Sequence, residues 1–108
     1  MAEIYLDHAA TTPIRPEVVE AMRPYLGESF GNPSSIHAYG QAAKAALDRS
    51  RDIVAESIGA EPSEITFTGG GTEADNLALI GVVLASPSAR RRVVTTAIEH
   101  EAVVCVPV

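Results

Sequence analysis

A chain of 108 residues with 46% hydrophobic and 20% charged residues is globular in composition and long enough for one small domain at most. The net charge of −6 and a pI near 4.9 argue against wide contact with nucleic acid, and no apolar run reaches the length a bilayer requires. Met1 is followed at once by acidic and strand-like residues, with neither a basic nor an apolar signal region, which points to the cytoplasm.

The chain begins with Ile4, Tyr5 and Leu6 as a short strand, then passes through His8, Ala9, Ala10 and Thr11 to Pro13, an extended arm leading into a turn. Pro16 suits the first position of a helix, and Val18, Val19, Met22, Tyr25 and Leu26 form one apolar stripe until Gly27 closes it. Ser29 to Ser35 is loop chemistry, with Gly31, Asn32 and Pro33 each favouring backbone angles outside regular structure. From about His37 to Ile58 an alanine-rich segment carries Tyr39, Ala43, Ala46, Leu47, Val54 and Ile58 near helical spacing, ending at Gly59 and then Pro62. Lys44 is the only lysine of the chain, and it lies four residues before Asp48 on a face that reads as exposed.

The central stretch reads as strand, glycine turn and helix start in succession. Glu64 to Thr68 alternates Ile65 and Phe67 with threonines, and Gly69, Gly70 and Gly71 free the backbone. Thr72 then follows as a candidate N-cap with Asp75 three residues on. Leu77, Ile80, Gly81 and Leu84 recur at helical spacing up to Ser86, Pro87 and Ser88. Unpaired N–H groups and the positive end of the helix dipole would converge on the glycines, where an anion can approach. Arg90 to Arg92 reads as a solvated turn, and Arg92 to Ala97 as a second strand. Strand, helix and strand in about 30 residues make a βαβ unit with parallel pairing. The glycine turn and His100 would then emerge together at the carboxyl ends of neighbouring strands. The helix after the turn is apolar on nearly all sides, so it expects cover on both faces or a partner.

Two readings compete for the turn. Gly69, Gly71 and Ala74 satisfy the loose dinucleotide pattern G-x-G-x-x-G/A, with Glu99 as a ribose acceptor, while a glycine cluster before a helix is as often plain turn chemistry. His100 at a strand end has the same bland alternative of assisting a turn. His8, His37, His100 and Cys105 lack the short paired spacings of zinc sites, so no metal is assigned. Cys105, in the apolar run Ala102 to Val106, reads as a small buried hydrophobe.

Four segments occur together in order: Tyr5-Leu6-Asp7-His8-Ala9-Ala10-Thr11-Thr12-Pro13, Gly31-Asn32-Pro33-Ser34-Ser35, Thr68-Gly69-Gly70-Gly71-Thr72-Glu73-Ala74-Asp75-Asn76 and Thr95-Thr96-Ala97-Ile98-Glu99-His100. In order and spacing the chain resembles the cysteine desulfurases, over its whole length. The resemblance implies the α/β fold of a fold-type I, class V pyridoxal 5′-phosphate enzyme. On it, 1–62 is the amino-terminal arm with its helices, and 63–108 begins the cofactor-binding parallel-sheet domain with its first βαβ unit, left incomplete. It also implies a homodimer that converts L-cysteine to L-alanine and passes the sulfur on as a persulfide, to an acceptor or scaffold protein, for iron–sulfur cluster or thio-cofactor synthesis. By the same resemblance Gly71 and Thr72 hold the cofactor phosphate, Gly70 allows close approach, and His100 stacks on the cofactor ring and takes acid–base roles. The arm at His8 to Thr12 and the loop at Asn32 would line the active-site side or the dimer contact. Gly71 stands where the family commonly has alanine.

The lysine that carries the cofactor, the acid at its ring nitrogen and the mobile cysteine lie well downstream in the family, and neither Lys44 nor Cys105 stands in a matching place. The 108 residues are therefore expected to be an amino-terminal portion, inactive alone. The other readings are a class V relative such as a selenocysteine lyase or an aminotransferase, a nicotinamide-dependent oxidoreductase fragment, and a non-catalytic association module.

Overall fold

The computed structural model of the protein describes residues 4–87 and 92–106. The expected helix end at Ser88, the basic Arg90 and Arg91 and the segment reaching Val108 lie outside them. The chain divides into two units, Met1–Pro62 and Ser63–Val108.

In the first unit, Tyr5 to Thr11 closes on itself: the Ala10 N–H donates to the Asp7 carbonyl at 3.1 Å, and the Tyr5 hydroxyl donates to the same carbonyl at 2.9 Å. The Tyr5 ring meets His8 edge-on at 5.0 Å, which gives His8 a packing role within the arm. Helix α1, Pro16–Met22, begins with its proline at the first position, as the sequence indicates. It stops earlier than the apolar stripe predicts, and Arg23–Leu26 continues as a tighter 3₁₀ turn. Pro24 is the reason: it has no N–H for the Glu20 carbonyl, and its ring crowds that carbonyl.

Helix α2, Ala38–Ile58, is the longest element. His37 is its N-cap rather than its first residue, with Nδ1 accepting from the Gly40 N–H at 3.3 Å. The helix ends in a Schellman arrangement: the Ala60 N–H reaches the Ala55 carbonyl at 2.9 Å and the Gly59 N–H the Glu56 carbonyl at 3.3 Å. Gly59 holds φ at +69°, the left-handed value this motif needs. Ala43, Ala46, Leu47 and Ser50 form one face, which with Tyr25, Ser29, Gly31 and Pro33 lines a groove of about 300 Å³. On another face, Lys44 pairs with Asp48 at 2.9 Å and Arg51 with Asp48 at 3.0 Å, so the lysine is the surface residue its spacing suggests. The Lys44 hydrogen bond, aided by Arg51, holds the Asp48 carboxyl below its usual range.

The loop into α2 is built on close backbone approach. Asn32 folds it, its side-chain oxygen accepting from the Ser34 N–H and its carbonyl from the Ser35 N–H, both at 2.9 Å. A Cβ on Gly31 would overlap the Tyr39 carbonyl oxygen, and one on Gly40 would overlap the Ser35 carbonyl. Phe30 stacks on Tyr39 at 5.6 Å across the same crossing.

The second unit opens within a 3₁₀ turn, Pro62–Glu64, of which Pro62 is the last residue of the first unit. It contains helix α3, Gly71–Ala85, and a single helical turn α4, Glu101–Val104, packed against it. The expected strands at 4–6, 64–68 and 92–97 are not formed among the described residues, and the βαβ unit is absent there. A ladder requires consecutive backbone pairing, and parallel sheets form where both faces are covered. Here Phe67 is 44% and Val94 87% exposed, so the faces such strands would bury have no cover. The strongly apolar α3 shows the same condition, with Leu77, Val82 and Leu84 all exposed. Among the described residues only Ala55 and Ala102 are buried hydrophobics, and no helix is long and apolar enough to cross a membrane.

The two kinds of glycine give a direct test by thermal unfolding. Gly59→Ala, where space is open but φ is positive, is expected to cost about 1 kcal/mol. Gly40→Ala, where the clash is with fixed backbone, should cost more, toward about 3 kcal/mol.

Candidate active site

The site is built where α3 begins. Gly70 is its N-cap and Gly71 its first residue, so Thr72 stands at the second helical position rather than at the cap. The Thr68 hydroxyl donates to the Gly70 carbonyl at 3.0 Å, and a Glu73 carboxylate oxygen accepts from the Gly69 N–H at 2.7 Å. Glu73, three residues after the cap, thus makes the backward bond that the sequence suggested for Asp75, to the N–H of the residue before the cap. The first intrahelical bond runs from the Ala74 N–H to the Gly70 carbonyl. The N–H groups of Gly71 and Thr72 precede any intrahelical acceptor and have none among the described residues, and the Thr72 hydroxyl is exposed with them.

None of the three glycines lies in the left-handed region, and Gly70, at φ 170° and ψ 175°, is fully extended, so a left-handed turn is not what the site requires of them. A Cβ on Gly70 or Gly71 would meet nothing within 4 Å, whereas one on Gly69 would lie 3.2 Å from the Glu73 carboxylate. What Gly70 and Gly71 supply is an unobstructed path to the free N–H groups. An alanine at Gly71 would fit the same space.

His100 is the N-cap of α4. Its Nδ1 accepts from the Ala102 N–H at 3.1 Å, and its carbonyl accepts from Val103 and Val104 at 2.8 and 3.1 Å. A neutral imidazole that accepts at Nδ1 carries its proton on Nε2, which makes no hydrogen bond among the described residues of this exposed histidine. The helping-a-turn role and an outward polar role therefore coexist in one ring. Glu99 beside it accepts from the Thr96 hydroxyl at 2.8 Å, which engages the carboxylate offered as a ribose acceptor.

Thr72 and His100 line one cleft of about 260 Å³, together with Asn76, Glu101, Ala102 and Cys105. Gly70 and Gly71 lead into it along the chain without lining it. It is Thr72 rather than the glycines that shares a cleft with His100, and it does so through packing of α4 on α3, not through adjacent strand ends. Asn76, Glu101 and Cys105 were not read from sequence as site residues. Asn76 was legible as the residue one turn after Thr72. Cys105 is exposed, contrary to its reading as a buried hydrophobe: in the short turn Ala102 takes the inward place, leaving the sulfur outward three residues later. Lys44, His8, His37 and Asn32 all belong to the first unit.

A phosphate monoester on an aromatic ring can be tested against this donor set. Two free N–H groups and a hydroxyl at a helix N-terminus, opened by glycines, suit the phosphate, and a cleft bordered by an imidazole suits the ring. The Glu73 carboxylate is already bound to the Gly69 N–H, which leaves the Gly71 and Thr72 N–H groups to an incoming anion.

The family model described as Aminotransferase class-V matches residues 4–107. The chain is 50% identical over 101 residues to "Cysteine desulfurase IscS" of Dictyoglomus turgidum, covering 94% of this chain and 26% of that protein. It is 52% identical over 103 residues to "Putative cysteine desulfurase IscS 1" of Bacillus subtilis, covering 95% and 27%. It is 50% identical over 100 residues to "Cysteine desulfurase IscS" of Methanosarcina thermophila, covering 93% and 25%. The chain spans about a quarter of the length of the curated relatives it matches. With the family model matched across almost the whole chain, this protein belongs to the class-V aminotransferase family.

Proposed function

We propose that these residues are the amino-terminal part of a pyridoxal 5′-phosphate-dependent cysteine desulfurase, of fold-type I with a parallel sheet completed by further chain. The observation that carries the reading is the cleft in which Thr72, at the open start of α3, and His100 stand together, in a chain about half identical to proteins named cysteine desulfurase. The substrate is L-cysteine, the products are L-alanine and a transferable sulfur, and the working form is a cytoplasmic homodimer that delivers sulfur to an acceptor or scaffold protein.

Each residue has a physical task on this reading. The Gly71 and Thr72 N–H groups and the Thr72 hydroxyl bind the cofactor phosphate, helped by the dipole of a 15-residue helix. Gly70 and Gly71 keep that approach clear. His100 packs its ring against the cofactor and offers the Nε2 proton, because Nδ1 is held by the Ala102 N–H. Bound there, the cofactor supplies an electron sink for bond cleavage at the substrate α-carbon. The only lysine, Lys44, is paired with Asp48 on α2, so the covalent attachment point is not among these residues.

The test is an assay of alanine and sulfide release from L-cysteine by the full-length gene product loaded with pyridoxal phosphate. Failure to release alanine from cysteine under these conditions would sink the proposal. In that assay His100→Ala should lower kcat/KM by about 10²- to 10⁴-fold, the usual range for a lost acid–base group. Thr72→Val should weaken phosphate-dependent cofactor retention by about fivefold to tenfold, one hydrogen bond to a charged group. Gly71→Ala should leave cofactor retention within about twofold and raise thermal stability, since alanine gains up to about 1 kcal/mol in a helix over glycine and meets no atom here. The 108-residue polypeptide alone, with free cofactor controlled for, is expected to release no alanine.

A further inference from the structure

Helix α4 has four residues and is too short to hold itself in water, so its position is set by what it docks on. Ala102 faces inward at 7% exposure, but a methyl group alone fixes neither rotation nor height along α3. Asn76 supplies a directional contact. Its Nδ2 donates to the Thr72 carbonyl at 2.8 Å and, at 3.4 Å, to the Ala102 carbonyl across 26 residues of sequence. An amide nitrogen carries two hydrogens, and these two carbonyls use both. Among the described residues the Ala102 carbonyl has no backbone donor, because the Val106 N–H turns instead to Val103 at 3.4 Å.

These bonds join end to end. His100 Nδ1 accepts from the Ala102 N–H, the Ala102 carbonyl accepts from Asn76, and Asn76 also donates to the Thr72 carbonyl. The imidazole and the residue whose hydroxyl and N–H open the phosphate end of the cleft are thereby connected through one side chain. All three residues line the same cleft, and Asn76 is half-buried between its acceptors.

We infer that Asn76 is a positioning residue that sets the distance and orientation of His100 relative to the Thr72 turn, so that a ligand with a phosphate and a ring meets both ends at once. This rests on the cofactor reading above. The role is separable from phosphate binding itself, because Asn76 donates to the Thr72 carbonyl and leaves the Thr72 N–H and hydroxyl free. Removing it should leave each half of the cleft able to bind its own half of the ligand while losing the gain from holding both in register.

The test uses the apo form of the full-length gene product and two probes, pyridoxine 5′-phosphate, which has phosphate and ring but no aldehyde, and inorganic phosphate. Calorimetric titration of Asn76→Ala should show pyridoxine 5′-phosphate weakened by about fivefold to tenfold, with inorganic phosphate changed by less than about twofold. Thr72→Val, by contrast, should weaken both probes. Asn76→Leu, which keeps the volume and removes the donors, repeats the measurement should the alanine variant fold poorly. Equal weakening of both probes, or none of either, overturns the positioning role while leaving the cofactor reading in place. Loss of folding in both variants also overturns it, by making Asn76 a general packing group. Wild-type protein that binds no pyridoxine 5′-phosphate overturns the cofactor reading itself and this inference with it.

Discussion

The docking of a four-residue helical turn on a long apolar helix is the interaction on which the second unit depends. The short turn cannot persist alone, and among the described residues it is the one helical element packed on the long helix. Ala102 gives the docking its buried methyl and Asn76 its direction. Because His100 caps that turn and Thr72 sits one turn before Asn76, the contact that stabilises the unit also assembles the cleft. Packing and site geometry are here one arrangement, and the hydrogen bonds that build it also determine which imidazole nitrogen keeps its proton.

The first unit is organised by backbone proximity rather than by side-chain burial. Gly31 and Gly40 let the loop at Asn32 lie directly against the start of α2, closer than any Cβ permits. Asn32 then folds the loop through its own side chain, and His37 closes the first turn of the helix. The far end of α2 is finished by Gly59 through a different property, its positive φ. Glycine therefore acts in three distinct ways along this chain: as a close-contact residue at 31 and 40, as a left-handed residue at 59, and as an open approach at 70 and 71.

Exposed apolar surface runs through both units, from Leu6 and Ile36 to Val82, Val94 and Ile98. Surface of this kind is the signature of elements that bury themselves against further structure. The relatives are about four times as long, which agrees with a chain whose α3 is apolar on nearly all sides and whose segments of strand-like pattern have no cover. A parallel strand depends on neighbours on each edge and on layers above and below it, and α3 likewise needs two faces to pack on.

Helix positions were legible in the residues themselves, since Pro16, the alanine-rich periodicity of α2, Gly59 and the glycines before α3 act locally, through backbone angles and adjacent hydrogen bonds. The four ordered motifs made the family legible as well, because matching chemistry in register over a whole chain is specific where one glycine pattern is not. Local rules drew attention to the glycine turn, Thr72 and His100, but by way of strand ends that are not formed among the described residues. Only the tertiary structure decided that α4 docks on α3, that Ala102 turns in and Cys105 out, that Glu73 rather than Asp75 closes the first turn, and that Asn76 joins the two ends of the cleft. The docking of α4 and the Asn76 bridge depend on which groups approach across 26 residues of chain, and periodicity along one segment carries no information about a partner on another.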